Sequence, residues 1–174
     1  GPDDSLYAAS SPQGKLLRIG SDGKARELCA FAETYVWDMV ADRNGNMLVA
    51  TGTPARIYRV SPATRKKELL YGSDKESHFL CLAVNSAGTL FFGSSGLGAL
   101  YKKEENRETR LLFDTYEDEI SAITIARDGA VCFATASQRG RRLGQVGSVS
   151  IVGSIIGALI VWWVFDMMKT RAQT

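Results

Sequence analysis

Histidine is almost absent from this 174-residue chain, where His78 stands alone, and its three cysteines, Cys29, Cys81 and Cys132, match no metal-ligand spacing such as C-x-x-C. Each cysteine lies in an apolar, strand-like run. They are expected to be buried free thiols packing as small hydrophobes, with a disulfide between two of them as the alternative. Free thiols favour a reducing compartment. Helical periodicity is missing as well: no segment of residues 1–138 keeps apolar residues at i, i+3, i+4, i+7 for more than a turn or two. A basic face is missing too. Of the 21 Lys and Arg, five fall after Gln138, against one of the 19 acidic residues, so the stretch before it is slightly acidic and nucleic acid is not an expected partner. No glycine-rich loop opens a helix. GSSGLG at 93–98 lies at a break between two strands and reads as a turn rather than a phosphate cradle. At 45% hydrophobic and 23% charged, the composition excludes disorder.

What is present is a repeat. Residues 36–60, VWDMVADRNGNMLVATGTPARIYRV, recur with substitutions on either side. Aligning the turn residues Asp4, Gly45, Gly88 and Gly129 gives a period of 41–43, the length of one propeller blade. After the turn come SLYAAS (5–10), NMLVAT (46–51), TLFFGS (89–94) and AVCFAT (130–135). Twelve residues past each of the first three anchors stand Leu16, Ile57 and Leu100 of a third strand, and twenty-four past them Leu28, Leu69 and Leu112 of a fourth. Before the last three anchors lie VWDMVA (36–41), FLCLAV (79–84) and ISAITI (120–125), apolar on both faces and therefore expected to be the strands buried between neighbouring sheets. Asp22-Gly23, Asn44-Gly45 and Asp128-Gly129 mark tight turns that tolerate positive φ.

These residues predict an all-β chain: a partial β-propeller of four-stranded antiparallel blades, about three of them, over residues 1–138. The repeat resembles the six- and seven-bladed NHL, strictosidine-synthase-like and gluconolactonase-like propellers, whose blades often read D-x-x-G-x-L-Y-V-A-T and then I-Y-R-V. The Gly-His and Trp-Asp marks of WD repeats are absent, since Trp37-Asp38 precedes the turn and occurs once. Thirteen strands do not close a ring of four to eight blades, and open ends expose edges that natural proteins avoid. A longer propeller of which this is a fragment is one expectation. A homodimer completing a six-bladed ring is the other.

Composition changes abruptly at 138–143, as it would also at an artificial joining of two reading frames. A basic linker, 139–142, leads into 23 residues, 143–165, without a charge, and a short polar tail follows at 166–174. At ~1.5 Å per residue the uncharged run makes about 34 Å of helix, enough to cross a ~30 Å hydrocarbon core. It is expected to be a single transmembrane helix, with Gly153 and Gly157 forming a small-residue packing face and Trp162-Trp163 an interfacial belt. Three arginines before it outnumber Lys169 and Arg171 after it, which predicts a cytoplasmic amino-terminal domain. Resemblance to secreted propellers implies the periplasm or the cell exterior instead.

Propeller function sits at the channel mouth, where loops enter the innermost strands. Ten residues before each anchor glycine stand Tyr35, His78 and Glu119, with Trp37, Leu80 and Ser121 two positions further on. Tyr35, Trp37, His78 and Glu119 are the candidate ligand-binding residues, suited to a protein, peptide or glycan. No serine or cysteine is placed to form a nucleophile pair with His78, so no catalytic residue and no cofactor is expected. The resemblance implies an alternative, a gluconolactonase- or strictosidine-synthase-like metal-dependent hydrolase, with calcium as the metal, whose site is completed by missing blades, since it needs oxygen ligands from several inner strands. Here Asp38 is followed at equivalent places by Cys81 and Ala122. Glu117-Asp118-Glu119 is expected to be a solvated loop.

Overall fold

A computed structural model describes residues 5–137. The predicted transmembrane helix at 143–165, Gly153, Gly157, the basic linker and the tail lie outside the described residues. Among the described residues, no helix is long and apolar enough to cross a membrane.

The described chain is all-β, with thirteen strands in the 3, 4, 4, 2 grouping that the repeat predicts. The first sheet holds β1 (Leu6–Ser10), β2 (Lys15–Ile19) and β3 (Ala25–Ala30). A second meander runs β4 (Tyr35–Ala41), β5 (Met47–Gly52), β6 (Ala55–Val60) and β7 (Lys67–Ser73). The third repeats it with β8 (His78–Val84), β9 (Leu90–Ser95), β10 (Ala99–Lys103) and β11 (Arg110–Asp114), and β12 (Glu119–Ile125) pairs with β13 (Val131–Ala136). Every pairing is antiparallel, and each four-stranded group is one propeller blade.

The anchor glycines sit where the sequence puts them because the turn requires it. Gly45, Gly88 and Gly129 have φ of 78°, 82° and 88°, the left-handed region that glycine occupies without a Cβ penalty. Their amides close the same turn each time, donating to the carbonyls of Asp42, Asn85 and Ala126. The side chains of Asp42 and Asn85 reinforce it by accepting further turn amides.

The core is a series of layers between blades. Tyr7, Leu16, Leu28 and Phe31 meet Met47, Val49 and Val60 between the first two blades. Leu48, Ala50 and Ile57 meet Phe79, Leu82, Phe92 and Tyr101 between the next two. Cys81 and Leu100 meet Ile120 at the last junction.

Burial corrects two expectations. The second strands of the blades, β5 and β9, are buried along their whole length, whereas the first strands β4 and β12 are part-exposed. A second strand has a neighbour on each edge of its own blade and another blade against each face, whereas a first strand is paired along its length on one edge only. The three thiols are free, but only Cys81 is buried; Cys29 is intermediate and Cys132 exposed. In GSSGLG the first three residues belong to β9, and only residues 96–98 turn.

Candidate functional site

Neighbouring blades are stitched at one end of their inner strands. Tyr35 pairs with Gly52, Gly52 with His78, His78 with Ser95, and Ser95 with Glu119. The three residues singled out by repeat position therefore form one continuous row across three blades. The backbone-to-backbone step from one blade to the next is a single pairing at Gly52 and another at Ser95.

Each inner strand also carries a bulge at the same place. Pairing slips between Val36 and Asp38, between Phe79 and Cys81, and between Ile120 and Ala122, which leaves Trp37, Leu80 and Ser121 as the extra residues. A bulge re-aims the side chain it carries. At Trp37 it turns the indole toward the row, where it meets His78 edge-on at 5.2 Å and tilts against Tyr35 at 5.6 Å, while Tyr35 meets His78 at 6.1 Å. The bulge is held by Asp38, whose carboxylate accepts the amides of Met39 (2.8 Å) and Leu82 (2.7 Å), bridging two blades. Burial pushes the Asp38 carboxyl up, and the two amides pull against that rise.

Gly52 makes the cluster possible. A Cβ there would stand 2.5 Å from Trp37 Nε1 and would overlap His78 Nδ1 outright, so only glycine lets both rings close over the strand. His78 Nδ1 is buried with no hydrogen-bond partner among the described residues. Burial lowers the imidazole pKa below its usual 6.5, opposed by the negative charge of Glu119. Trp37 remains 46% exposed and Tyr35 37%, so indole and phenol present faces to solvent.

The structure brings Tyr35, Trp37 and His78 into ring contact and places Glu119 two strands beyond His78 in the same row. Such an arrangement can stack on a planar or sugar face and accept or donate hydrogen bonds. It does not fit a calcium centre. Asp38 is engaged by amides, and no group of three or more His, Cys, Asp or Glu side chains comes together among the described residues. A polar groove lined by Asp42, Arg43, Arg59, Glu68, Lys103 and Glu105 lies at the opposite end of β4. There Arg59 is in reach of Asp42, Glu68 and Glu105, so its charge is balanced internally.

Repeat position alone did not reveal a pair of buried carboxylates. Glu33 accepts the hydroxyl of Tyr58 at 2.8 Å, and Glu76 accepts that of Tyr101 at 2.8 Å. The signal was there: glutamate stands twelve residues before each anchor glycine, as Glu33, Glu76 and Glu117, and tyrosine thirteen after two of them.

The fold so described defines a class, the β-propellers, of which these blades form part. Comparison with solved structures agrees. A virginiamycin B lyase from Staphylococcus aureus superposes with a TM-score of 0.67 at 13% identity, over 80% of this chain and 50% of that one. The extracellular domain of a putative one-component system from B. thetaiotaomicron gives 0.66 at 16% identity, over 78% of this chain and 19% of that one. A putative gluconolactonase gives 0.59 at 12% identity, over 76% of this chain and 54% of that one. The chain spans about half the length of the lyase it matches. At such identities the likeness establishes the fold alone. No protein-family model matches the chain, and no curated protein does.

Proposed function

We propose that this is the ligand-binding part of a β-propeller, a non-enzymatic module that captures a peptide or glycan at the row Tyr35–His78–Glu119. One observation carries the reading: a bulge, a two-amide brace from Asp38 and a glycine without room for a methyl group all serve to hold Trp37 and His78 together while leaving the indole half exposed. Such positioning of an exposed aromatic is what a stacking site needs and what a mere structural strand does not. The uncharged run 143–165 supports a membrane tether for the module.

Probing glycan and peptide arrays with the labelled chain tests this. Ligands retained by the chain and weakened tenfold or more by both Tyr35→Ala and Trp37→Ala support it. Capture that neither substitution alters would move the site elsewhere. Calcium-dependent thermal stabilisation with turnover of a lactone would replace it with the hydrolase reading.

A further inference from the structure

We infer that the polar groove between the blade β4–β7 and the blade β8–β11 is a second binding site, centred on Arg59, for a neutral polyhydroxyl molecule the size of one sugar ring. The residues lining it all lie between 42 and 106, in two blades that each have their four strands, and the cavity measures about 170 Å³. A cavity of ~150 Å³ already holds a six-membered ring such as benzene. Leu48 and Leu90, both buried, and the partly buried Leu70 supply its apolar lining.

Arg59 has its charge balanced but its hydrogen bonds unmade. The guanidinium faces Asp42 at 3.8 Å, Glu68 at 3.7 Å and Glu105 at 3.5 Å, and each contact is longer than the ~2.8 Å of a charge-assisted hydrogen bond. Its Nε is buried with no hydrogen-bond partner among the described residues. The nearest polar groups are held elsewhere. The Asp42 carboxylate accepts the amides of Asn44 and Asn46 and the side-chain amide of Asn46, while the Lys103 ammonium donates to the carbonyls of Glu104 and Arg107.

Three donor–acceptor gaps around one guanidinium select the ligand. An anion would satisfy Arg59 and be repelled by three carboxylates; a cation would do the reverse. A hydroxyl serves both sides, because it accepts from an N–H and donates to a carboxylate. A ring with several hydroxyls repeats that bridge and has a C–H face for the leucines.

Building a blade does not require this set. By strand register Lys102 stands in the next blade where Arg59 does, and the residue opposite it is Arg110, whereas Arg59 is opposite Glu68. Two residues past the end of the third strand, the place of Glu105 is taken in the preceding blade by Pro62. The constellation therefore belongs to this one junction, and it is independent of the row at the other end of β4.

Saturation-transfer NMR on the full chain tests this, with myo-inositol and methyl α-D-glucopyranoside as probes and the Arg59 Nε–H and Trp37 indole N–H resonances followed in parallel. Transfer to at least one probe is expected, together with a shift of Arg59 Nε–H. In the double variant Glu68→Ala/Glu105→Ala the affinity should fall about tenfold or more, as two acceptors for ligand hydroxyls are lost. Both side chains are about half exposed, at 55% and 47%, so the double variant keeps the fold. Maltotriose bound at least as tightly as the single rings would identify the ligand as a unit of a glycan chain, and weaker binding a free sugar or cyclitol; both support the site. No transfer to either probe, transfer that the double variant leaves unaltered, or a shift of the Trp37 indole in place of Arg59 Nε–H would overturn the proposal. So would inorganic phosphate that shifts Arg59 Nε–H at lower concentration than either probe, which would make the groove an anion site.

Discussion

Tyr101 and Glu76 lie 25 residues apart in the chain and 2.8 Å apart in the fold, both buried, with the phenol donating to the carboxylate. The second oxygen of Glu76 accepts the amide of Leu97 at 3.2 Å, so the loop ahead of β8, the turn ahead of β10 and the aromatic core are tied at one point. Desolvation raises the phenol pKa, and the Glu76 hydrogen bond and charge raise it further. Tyr58 and Glu33 repeat the arrangement one blade earlier, with the Tyr58 phenol pushed up to about 12 by burial first and then by Glu33.

Removing the hydroxyl leaves a buried carboxylate short of a donor. Tyr101→Phe is therefore expected to destabilise the fold by about 1–3 kcal/mol in urea unfolding, without a change in far-UV spectrum. In a cycle with Glu76→Gln the two losses should fall well short of additive. Additive losses would mean that the two side chains act separately.

His78 is the single histidine, so its ring protons give one resolvable titration by NMR. Its pKa in the folded chain lies below 6.5 because burial penalises the imidazolium. The folded state then binds fewer protons than the unfolded one. Stability from this group is full above pH 6.5 and falls as the pH drops through the folded value. Glu119→Gln removes the charge that opposes the shift, and should move the midpoint further down. A midpoint at or above 6.5, or one that rises in E119Q, would contradict the placement of the ring.

The repeat and its turns were legible because their causes are local. Alternation, a positive φ at Gly45, Gly88 and Gly129, and a side chain that caps the turn are all written within a few residues. Which strand is most buried was not, because β5 and β9 owe their burial to neighbouring blades rather than to their own pattern. Sequence spacing put Tyr35, His78 and Glu119 at equivalent places, and that equivalence is what makes them one row. The ring contacts depend on more: on the bulge at Trp37 and on two rings from other strands closing over Gly52, neither of which leaves a local mark. Glu33 and Glu76 were missed since their partners lie 25 residues away, a distance at which no short motif operates.

Gly52→Ala tests the claim that the cluster is built around missing volume. The added methyl overlaps His78 Nδ1 and lies 2.5 Å from Trp37 Nε1, so both rings must leave their positions. Overpacking of this kind costs about 1–3 kcal/mol. The expected result is a shifted His78 ring resonance, a pKa returned toward 6.5 as the imidazole is pushed into solvent, and loss of any ligand that Trp37 holds. Unchanged ring shifts in G52A would show that the two rings do not meet over this residue.

Thiol labelling distinguishes the three cysteines by their surroundings, since the thiolate is the reactive species and must be reachable. Cys132 lies exposed in β13 and should react with iodoacetamide first in the native chain. Cys29 is half-buried, with its thiol pushed up by burial while Lys67 pulls the other way, and should follow slowly. Cys81 is buried in the last inter-blade layer, its Sγ 3.3 Å from the Ile120 carbonyl and its pKa driven to about 12 by desolvation. It should stay unmodified at pH 8 until the blades separate, so its labelling rate measures the opening of the junction between β8 and β12. Reaction of Cys81 as fast as Cys132 would mean that β12 is not seated on β8 in solution. In that case the row would end at His78, with Glu119 outside it.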